Sequence, residues 1–120
     1  MGLFSRTPKE EPVPEFSPMM VGQILGDVAR TMIYDYEDSH GGRPDVMSAT
    51  LEFDELMRVA KVSNPVADGV PFIPRPPVYE QLNRIVRPFL GAPESGRPLS
   101  LSFTFDHGTF DANLGYPPAP

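Results

Sequence analysis

Apolar and polar residues alternate strictly over residues 99–116, near the end of the chain. A period of two is that of a β-strand, whose successive side chains point to opposite faces of a sheet. His107-Gly108 interrupts the alternation and suits a type I′ turn, which requires positive φ at both central residues. The pattern therefore predicts a hairpin whose apolar residues face one another in the pairs Leu99–Tyr116, Leu101–Leu114, Phe103–Ala112 and Phe105–Phe110.

The opposite face of this hairpin is predicted to be polar. It carries Thr104, Asp106, Asp111 and Asn113. A slip of one residue in the pairing would mix the two faces, so the register is strongly specified. In an antiparallel sheet such a polar face meets water or a partner.

A period near 3.6 residues predicts a first helix, running from Pro18 to about Tyr36. Ser17 is a suitable cap, and the proline after it tolerates the first helical position. The buried stripe comprises Val21, Ile24, Leu25, Val28 and Met32, with Arg30 and Asp35 expected to lie off it. The helix should end before Gly41-Gly42, since glycine is favoured just past a helix C-terminus.

A second helix is predicted to begin at Pro76-Pro77, and Pro88 should kink or end it. Its buried stripe comprises Val78, Leu82, Ile85, Val86 and Phe89.

The middle of the chain is marked less clearly. Residues 46–62 predict another hairpin, with a three-residue connection at 54–56. That connection pairs Phe53 with Met57, Leu51 with Val59 and Glu52 with Arg58. Residues 63–77 are rich in proline and glycine and indicate a rigid loop, in which residues 70–73 add a short edge strand because proline is excluded from central strands.

Two amphipathic helices and an antiparallel sheet with one apolar face can bury each other's apolar surface. We therefore expect an α+β fold, a two-layer sandwich in the order α-β-β-(β)-α-β-β, with a sheet of four or five strands and both helices on one face. The domain should span residues 17–116. Residues 1–16 form a flexible leader rich in proline and glutamate, and residues 117–120 a proline-rich tail.

The chain has 120 residues, no cysteine and a formal net charge of −6, from 16 acidic and 10 basic residues. The missing thiols exclude disulfides and thiolate metal sites, and we expect no cofactor.

The acidic surplus argues against direct nucleic-acid binding and suits a basic protein partner. No apolar run approaches the ~20 residues of a membrane span, and no signal peptide is visible, so we expect a cytoplasmic protein that does not enter a membrane.

Three carboxylates and two phenols follow one another at the predicted end of the first helix, in Tyr34, Asp35, Tyr36, Glu37 and Asp38. Negative charge near a helix C-terminus opposes the macrodipole, so helix stability does not explain these residues. Two interpretations remain open: a contact patch for a cationic protein surface, and a solvated, fraying helix end. The first predicts that reversing the three carboxylates to lysine weakens partner binding and leaves folding intact.

His107 lies near two carboxylates, Asp106 and Asp111, and imidazole beside carboxylate is a common arrangement in catalysis and metal binding. The turn explains His107 more simply, and His40 is the other histidine of the chain. No catalytic signature is present in the sequence, and we expect neither an enzyme nor a metal site.

The order of the elements, the acidic balance and the closing segment 99–116 resemble the YezG-type immunity proteins, which are small bacterial antitoxins. In that segment alternating Leu and Phe lead to a turn and then to Phe110-Asp111. The resemblance covers residues 18–116. It implies a protein that neutralises a cognate secreted toxin, often a nuclease, and it implies no enzyme activity.

The candidate contacts for such a toxin come from this sequence rather than from the family. The first choice is the segment Tyr34–Asp38, and the second is Asp106, Asp111 and Asn113 on the exposed face of the sheet. Two alternatives stay open: a secretion chaperone that cradles an effector segment, and a small enzyme using His107. We expect a monomer or a small homo-oligomer.

Overall fold

The computed structural model describes residues 14–118, which form two helices and one five-stranded antiparallel sheet. This is the predicted two-layer α+β sandwich. The leader prediction falls largely on residues 1–13, which lie outside the described residues, as do residues 119–120 of the tail. The elements are α1 (Val21–His40), β1 (Val46–Phe53), β2 (Val59–Ala67), β3 (Val70–Pro71), α2 (Pro76–Val86), β4 (Ser100–Asp106) and β5 (Thr109–Gly115).

The closing hairpin is confirmed in position and register over residues 100–115, but the predicted outermost pair, Leu99–Tyr116, lies outside the ladder. β4 and β5 pair Leu101 with Leu114 and Phe105 with Phe110, as the alternation predicted. The turn has φ of 48° at His107 and 90° at Gly108. Both angles are positive, which is the requirement of a type I′ turn.

The strand order is β3-β2-β1-β4-β5, so the two hairpins meet through β1 and β4 at the centre of the sheet. One face of these strands is apolar and buried, with Leu51, Leu101 and Phe103 in the core. The other face is polar: Thr50 and Ser102 lie opposite each other and their hydroxyls bond at 2.9 Å. The fold therefore leaves one face of the sheet polar, as expected.

The register between β1 and β2 differs from the prediction. Leu51 pairs with Val62, Glu52 with Lys61 and Phe53 with Val59. The three-residue connection at 54–56 and the pairs built on it were therefore wrong.

The physical reason is a longer connection closed by Asp54. Its N–H donates to the carbonyl of Arg58 at 2.9 Å, and its carboxylate accepts the N–H groups of Leu56 and Arg58 at 2.9 and 3.0 Å. Met57 takes a positive φ of 57° within this loop instead of pairing with Phe53. The side chain of Asp54 thus replaces the glycine that a tighter turn would need.

β2 is longer than predicted and includes residues 63–67, which the sequence indicated as loop. Asn64 has a φ of 51° at an irregularity in the pairing with β1, and this bulge accommodates Pro65 within the strand. The turn Asp68-Gly69 then leads into β3, which pairs with β2 as the edge strand. The edge strand is confirmed, although it covers only Val70–Pro71 of the expected 70–73.

Helix α1 follows a 3₁₀ turn at Pro18–Met20, where the Ser17 hydroxyl accepts the N–H of Met19 as a cap. The helix ends at His40 rather than near Tyr36, and Gly41 closes it with a φ of 82°. The buried stripe is also wider than predicted. Asp35 was expected to lie off it, yet only 7% of this residue is exposed.

Helix α2 begins at Pro76 and ends at Val86, where a 3₁₀ segment at Arg87–Gly91 follows it. Pro88, which was predicted to kink or end the helix, lies in this segment. Asn83 ties this helix to the sheet, because its amide oxygen accepts the N–H of Val59 at 2.7 Å. Phe89 is fully buried, and its ring lies 5.6 Å from that of Phe16.

Candidate functional site

A cleft of about 830 Å³ opens where the C-terminal half of α1 meets the start of α2. We call it the acidic cleft, since several of its lining side chains are carboxylates. Its lining includes Thr31, Tyr34, Asp35, Glu37, Asp38, Gly41, Gly42, Arg75, Pro77, Val78 and Gln81.

Arg75 connects the two walls of the acidic cleft. Its Nε donates to Asp35 Oδ1 at 2.5 Å, and one of its terminal nitrogens donates to Asp38 Oδ2 at 2.9 Å. The main-chain N–H of Arg75 also donates to Asp35, at 3.3 Å. The hydrogen bonds to Asp35 and then Asp38 raise the pKa of Arg75, because both carboxylates favour its charged form.

The buried position of Asp35 follows from this contact. A buried carboxylate is tolerated when it is paired and hydrogen-bonded, and Arg75 provides both. Asp35 therefore joins α1 to the segment before α2 and is not free to contact a partner. The expectation that its reversal to lysine leaves folding intact is withdrawn, since lysine would place a second cation beside Arg75.

The end of α1 is ordered by several contacts. The N–H of Gly41 donates to the carbonyl of Glu37 at 2.9 Å, and the Ser39 hydroxyl donates to the carbonyl of Asp35 at 2.7 Å. Arg43 lies 3.7 Å from the Glu37 carboxylate. These contacts extend the helix to its last residue, so the interpretation as a fraying end does not describe this segment.

Tyr34, Glu37 and Asp38 remain accessible at the rim of the acidic cleft, as does part of Arg75, whose side chain is 46% exposed. Asp38 keeps about three quarters of its side chain exposed (75%) even though Arg75 binds one of its oxygens. The phenol of Tyr34 is exposed beside it. The rim thus presents to solvent an aromatic side chain and two carboxylates, of which Glu37 lies near Arg43 and Asp38 binds Arg75.

Tyr36, the remaining member of the predicted patch, points elsewhere. Its ring stacks on His40 with centroids 4.0 Å apart and meets the edge of Phe72 at 5.3 Å. The structure therefore brings Tyr34, Asp35, Glu37 and Asp38 together and separates Tyr36 from them. A helix makes this separation because consecutive residues point about 100° apart.

Sequence reasoning missed Arg75 as a member of the site. It lies 40 positions from Asp35 along the chain, and no local pattern signals a contact over that separation. The one hint was its place directly before Pro76-Pro77, since a residue at the start of a helix is held in a defined position.

The second group of predicted site residues lies on the polar face of the sheet, outside the lining of the acidic cleft. Asp111 faces Thr104 across the hairpin, and Asn113 faces Ser102. Asp106 lies at the turn, where its carboxylate is 2.5 Å from His107 Nδ1. This hydrogen bond raises the pKa of His107, and Asp45 and Asp68 add smaller electrostatic contributions in the same direction.

Both His107 and Asp106 are well exposed at this turn. Among residues 14–118 no group of three or more His, Cys, Asp or Glu side chains is arranged to hold a metal ion. His107 and Asp106 thus form an exposed pair at the tip of the β4–β5 hairpin.

A second depression, of about 1000 Å³, lies between the β1–β2 connection and residues 94–99. It is larger than the acidic cleft, but it is lined by loops, and its Asp54 is occupied by bonds within its own turn. Glu55 and Glu94 are its other carboxylates. We consider the acidic cleft the stronger candidate because helix packing and Arg75 hold its carboxylates in place.

Neither helix in the described part of the chain has the length and apolar character needed to cross a membrane.

Comparison with protein-family models, with curated proteins and with solved structures found no match to this chain.

Proposed function

We propose that this chain is an immunity protein, which binds a cationic surface of a cognate bacterial toxin through the acidic cleft and so neutralises the toxin. The observation that carries the proposal is the exposed rim of Tyr34, Glu37 and Asp38 on a helix end that Arg75 holds in place. The resemblance of segment 99–116 to the YezG-type proteins supplies the functional class.

The fixed geometry of the rim favours binding. Ordering a mobile side chain or loop costs free energy on association, so a surface that is already ordered binds more tightly for the same contacts. Asp38 is oriented by Arg75, and Glu37 lies in a helix turn closed by Gly41. Tyr34 adds a rigid aromatic contact, a residue type enriched at protein interfaces.

The charge of the rim also suits the proposed partner. Carboxylates form charge-assisted hydrogen bonds with arginine and lysine, and those residues line surfaces that bind phosphate. A nuclease groove is such a surface, so Glu37 and Asp38 can occupy the positions of phosphate groups. The net charge of −6 accelerates encounter with a basic partner at low ionic strength.

Bacterial survival during co-expression tests this proposal. Each protein encoded next to this chain is expressed alone, with the wild-type chain, and with the double variant Glu37→Lys/Asp38→Lys. We expect one neighbour to kill cells when it is expressed alone and to be neutralised by the wild-type chain. The double variant should protect poorly, because two lysines at the rim repel a cationic surface.

A matched double variant, Glu55→Lys/Glu80→Lys, controls for the change in net charge. Both glutamates are exposed and neither lines the acidic cleft. We expect this control to protect as well as the wild type. Absence of any neighbour whose toxicity the chain relieves would contradict the proposed function, and equal protection by both double variants would contradict the role of the cleft.

A further inference from the structure

Strand β5 is an edge of the sheet with open main-chain groups. The turn at His107-Gly108 has two residues, so Asp106 and Thr109 exchange main-chain bonds and the odd-numbered residues of β5 face β4. The N–H and C=O groups of Phe110, Ala112 and Leu114 therefore point away from β4. Within residues 14–118 no other element pairs with this side of the strand.

The inner side of the same edge is apolar and incompletely covered. Ala112 and Leu114 are partly buried against the core, whereas Phe110, near the turn, is exposed. Phe110 is 39% exposed, and Tyr116, just past the end of the strand, is also exposed. A hydrophobic edge strand of this kind is a template for another strand.

We propose that β5 is a homodimer interface, in which the β5 strands of two copies pair antiparallel about a two-fold axis at Ala112. In this register Ala112 lies opposite its own copy, and Phe110 lies opposite Leu114 of the second copy. Each outward N–H and C=O of these residues then has a partner. The arrangement is symmetric, as a two-fold interface requires, and it is an addition of strand to strand.

The polar side chains of β5 select this register. With Ala112 on the axis, Asp111 lies opposite Asn113 of the second copy, and an amide can donate to a carboxylate. Moving the axis to Asp111 would also match the outward main-chain groups, but it would place Asp111 opposite its own copy. Like charges directly opposite each other are destabilising, so the register at Ala112 is favoured over the one at Asp111. An axis at Asn113 would leave Asp111 opposite Gly115, which has no side chain to bind the carboxylate, so the register at Ala112 is favoured over this one as well.

Opposite residues in an antiparallel pair point to the same side of the sheet. Phe110 and Leu114 of the two copies therefore cover one another on the helix side, and the two sheets become continuous. Each copy carries a net charge of −6, so the two copies repel each other at long range. Salt screens this repulsion and should strengthen the dimer.

Sedimentation of the full-length chain, combined with amide hydrogen exchange, tests the interface. We expect a concentration-dependent dimer, and slower exchange of the Phe110, Ala112 and Leu114 amides at high concentration than at low concentration. The amides of Asp111 and Asn113 face β4 and serve as internal controls, since their protection comes from the hairpin itself.

A charge swap tests the register. Asn113→Asp alone places Asp111 opposite a second carboxylate on both sides of the axis, and we expect the dissociation constant to rise roughly tenfold. The double variant Asp111→Asn/Asn113→Asp restores a carboxylate opposite an amide and should restore dimerisation. Both residues lie on the exposed polar face, so these variants leave the core untouched.

A chain that stays monomeric at high micromolar concentration overturns the proposal, and so does a dimer in which the three outward amides exchange as in the monomer. Failure of the charge swap to restore dimerisation overturns the register. The proposed dimer is independent of toxin binding, because the acidic cleft does not include β5. The double variant Glu37→Lys/Asp38→Lys should therefore dimerise as its charge-matched control Glu55→Lys/Glu80→Lys does.

Discussion

A single buried carboxylate, Asp35, links the sequence of α1 to the geometry of the acidic cleft. The helical periodicity predicted that Asp35 lies off the apolar stripe of α1, as expected for a charged side chain. Its burial depends on Arg75, a residue distant in the chain, so no pattern within α1 could reveal it. The neighbouring Asp38 binds the same arginine from an exposed position, which makes the two residues a natural comparison.

Replacing Asp35 with alanine should lower the free energy of unfolding by about 1–3 kcal/mol, because it removes charge-assisted hydrogen bonds at a buried site. Asp38→Ala removes a contact of the same arginine at an exposed site, and exposed ion pairs contribute little. Urea denaturation of the two variants measures the difference. Equal losses of stability would show that the Asp35 contact has no special role.

At the same scale, the turn residue His107 should make stability depend on pH. Asp106 raises the pKa of His107 in the folded chain, so the imidazole binds its proton more tightly there than in the unfolded chain. This contribution is complete below the ordinary histidine pKa of about 6.5 and is lost as pH rises through the raised value. A proton NMR titration should give His107 a pKa above about 6.5 that falls in Asp106→Asn. An unchanged pKa in that variant would contradict the Asp106 contact.

At the scale of elements, prediction succeeded where several local signals agreed. The hairpin β4–β5 combined strict alternation with a two-residue turn, and its register was predicted residue by residue. The β1–β2 connection lacked a glycine turn, and its geometry depended on the side chain of Asp54. Because of this longer connection, β2 pairs with β1 in a different register from the one predicted.

The dipeptide Asp68-Gly69 is a strong local turn signal within the segment that was predicted to be a loop. Asp-Gly between apolar residues strongly favours a type I′ hairpin, and the structure has φ of 51° and 79° at these positions. The Asp68 carboxylate also accepts the N–H groups of Asp45 and Val46, each at 3.0 Å. The proline content of the surrounding segment had suggested a loop instead.

The backbone angle of Gly69 provides a test at this scale. A Cβ at Gly69 would meet no atom within 4 Å, so the cost of Gly69→Ala comes from its positive φ and should be about 1–2 kcal/mol. Gly42 has the same open surroundings without a positive φ, and Gly42→Ala should be neutral or slightly stabilising. Thermal unfolding of the two variants compares them directly. A destabilisation of similar size in both would contradict the turn assignment.

At the scale of the whole molecule, the fold was more predictable than the site. The two-layer arrangement follows from burial of apolar faces, which each element displays in its own sequence. The acidic cleft forms only where α1 and α2 meet, and its carboxylates are oriented by an arginine outside both helices. A surface assembled from separate segments requires the tertiary packing to be known first.

The most direct test of toxin recognition is an amide NMR map recorded during titration with the toxin that the survival assay identifies. We expect the largest signal changes at Tyr34, Glu37 and Asp38, and smaller changes in the rest of the helix layer. Changes confined to the polar sheet face at Asp106, Asp111 and Asn113, or to the depression around Glu55, would contradict binding through the acidic cleft.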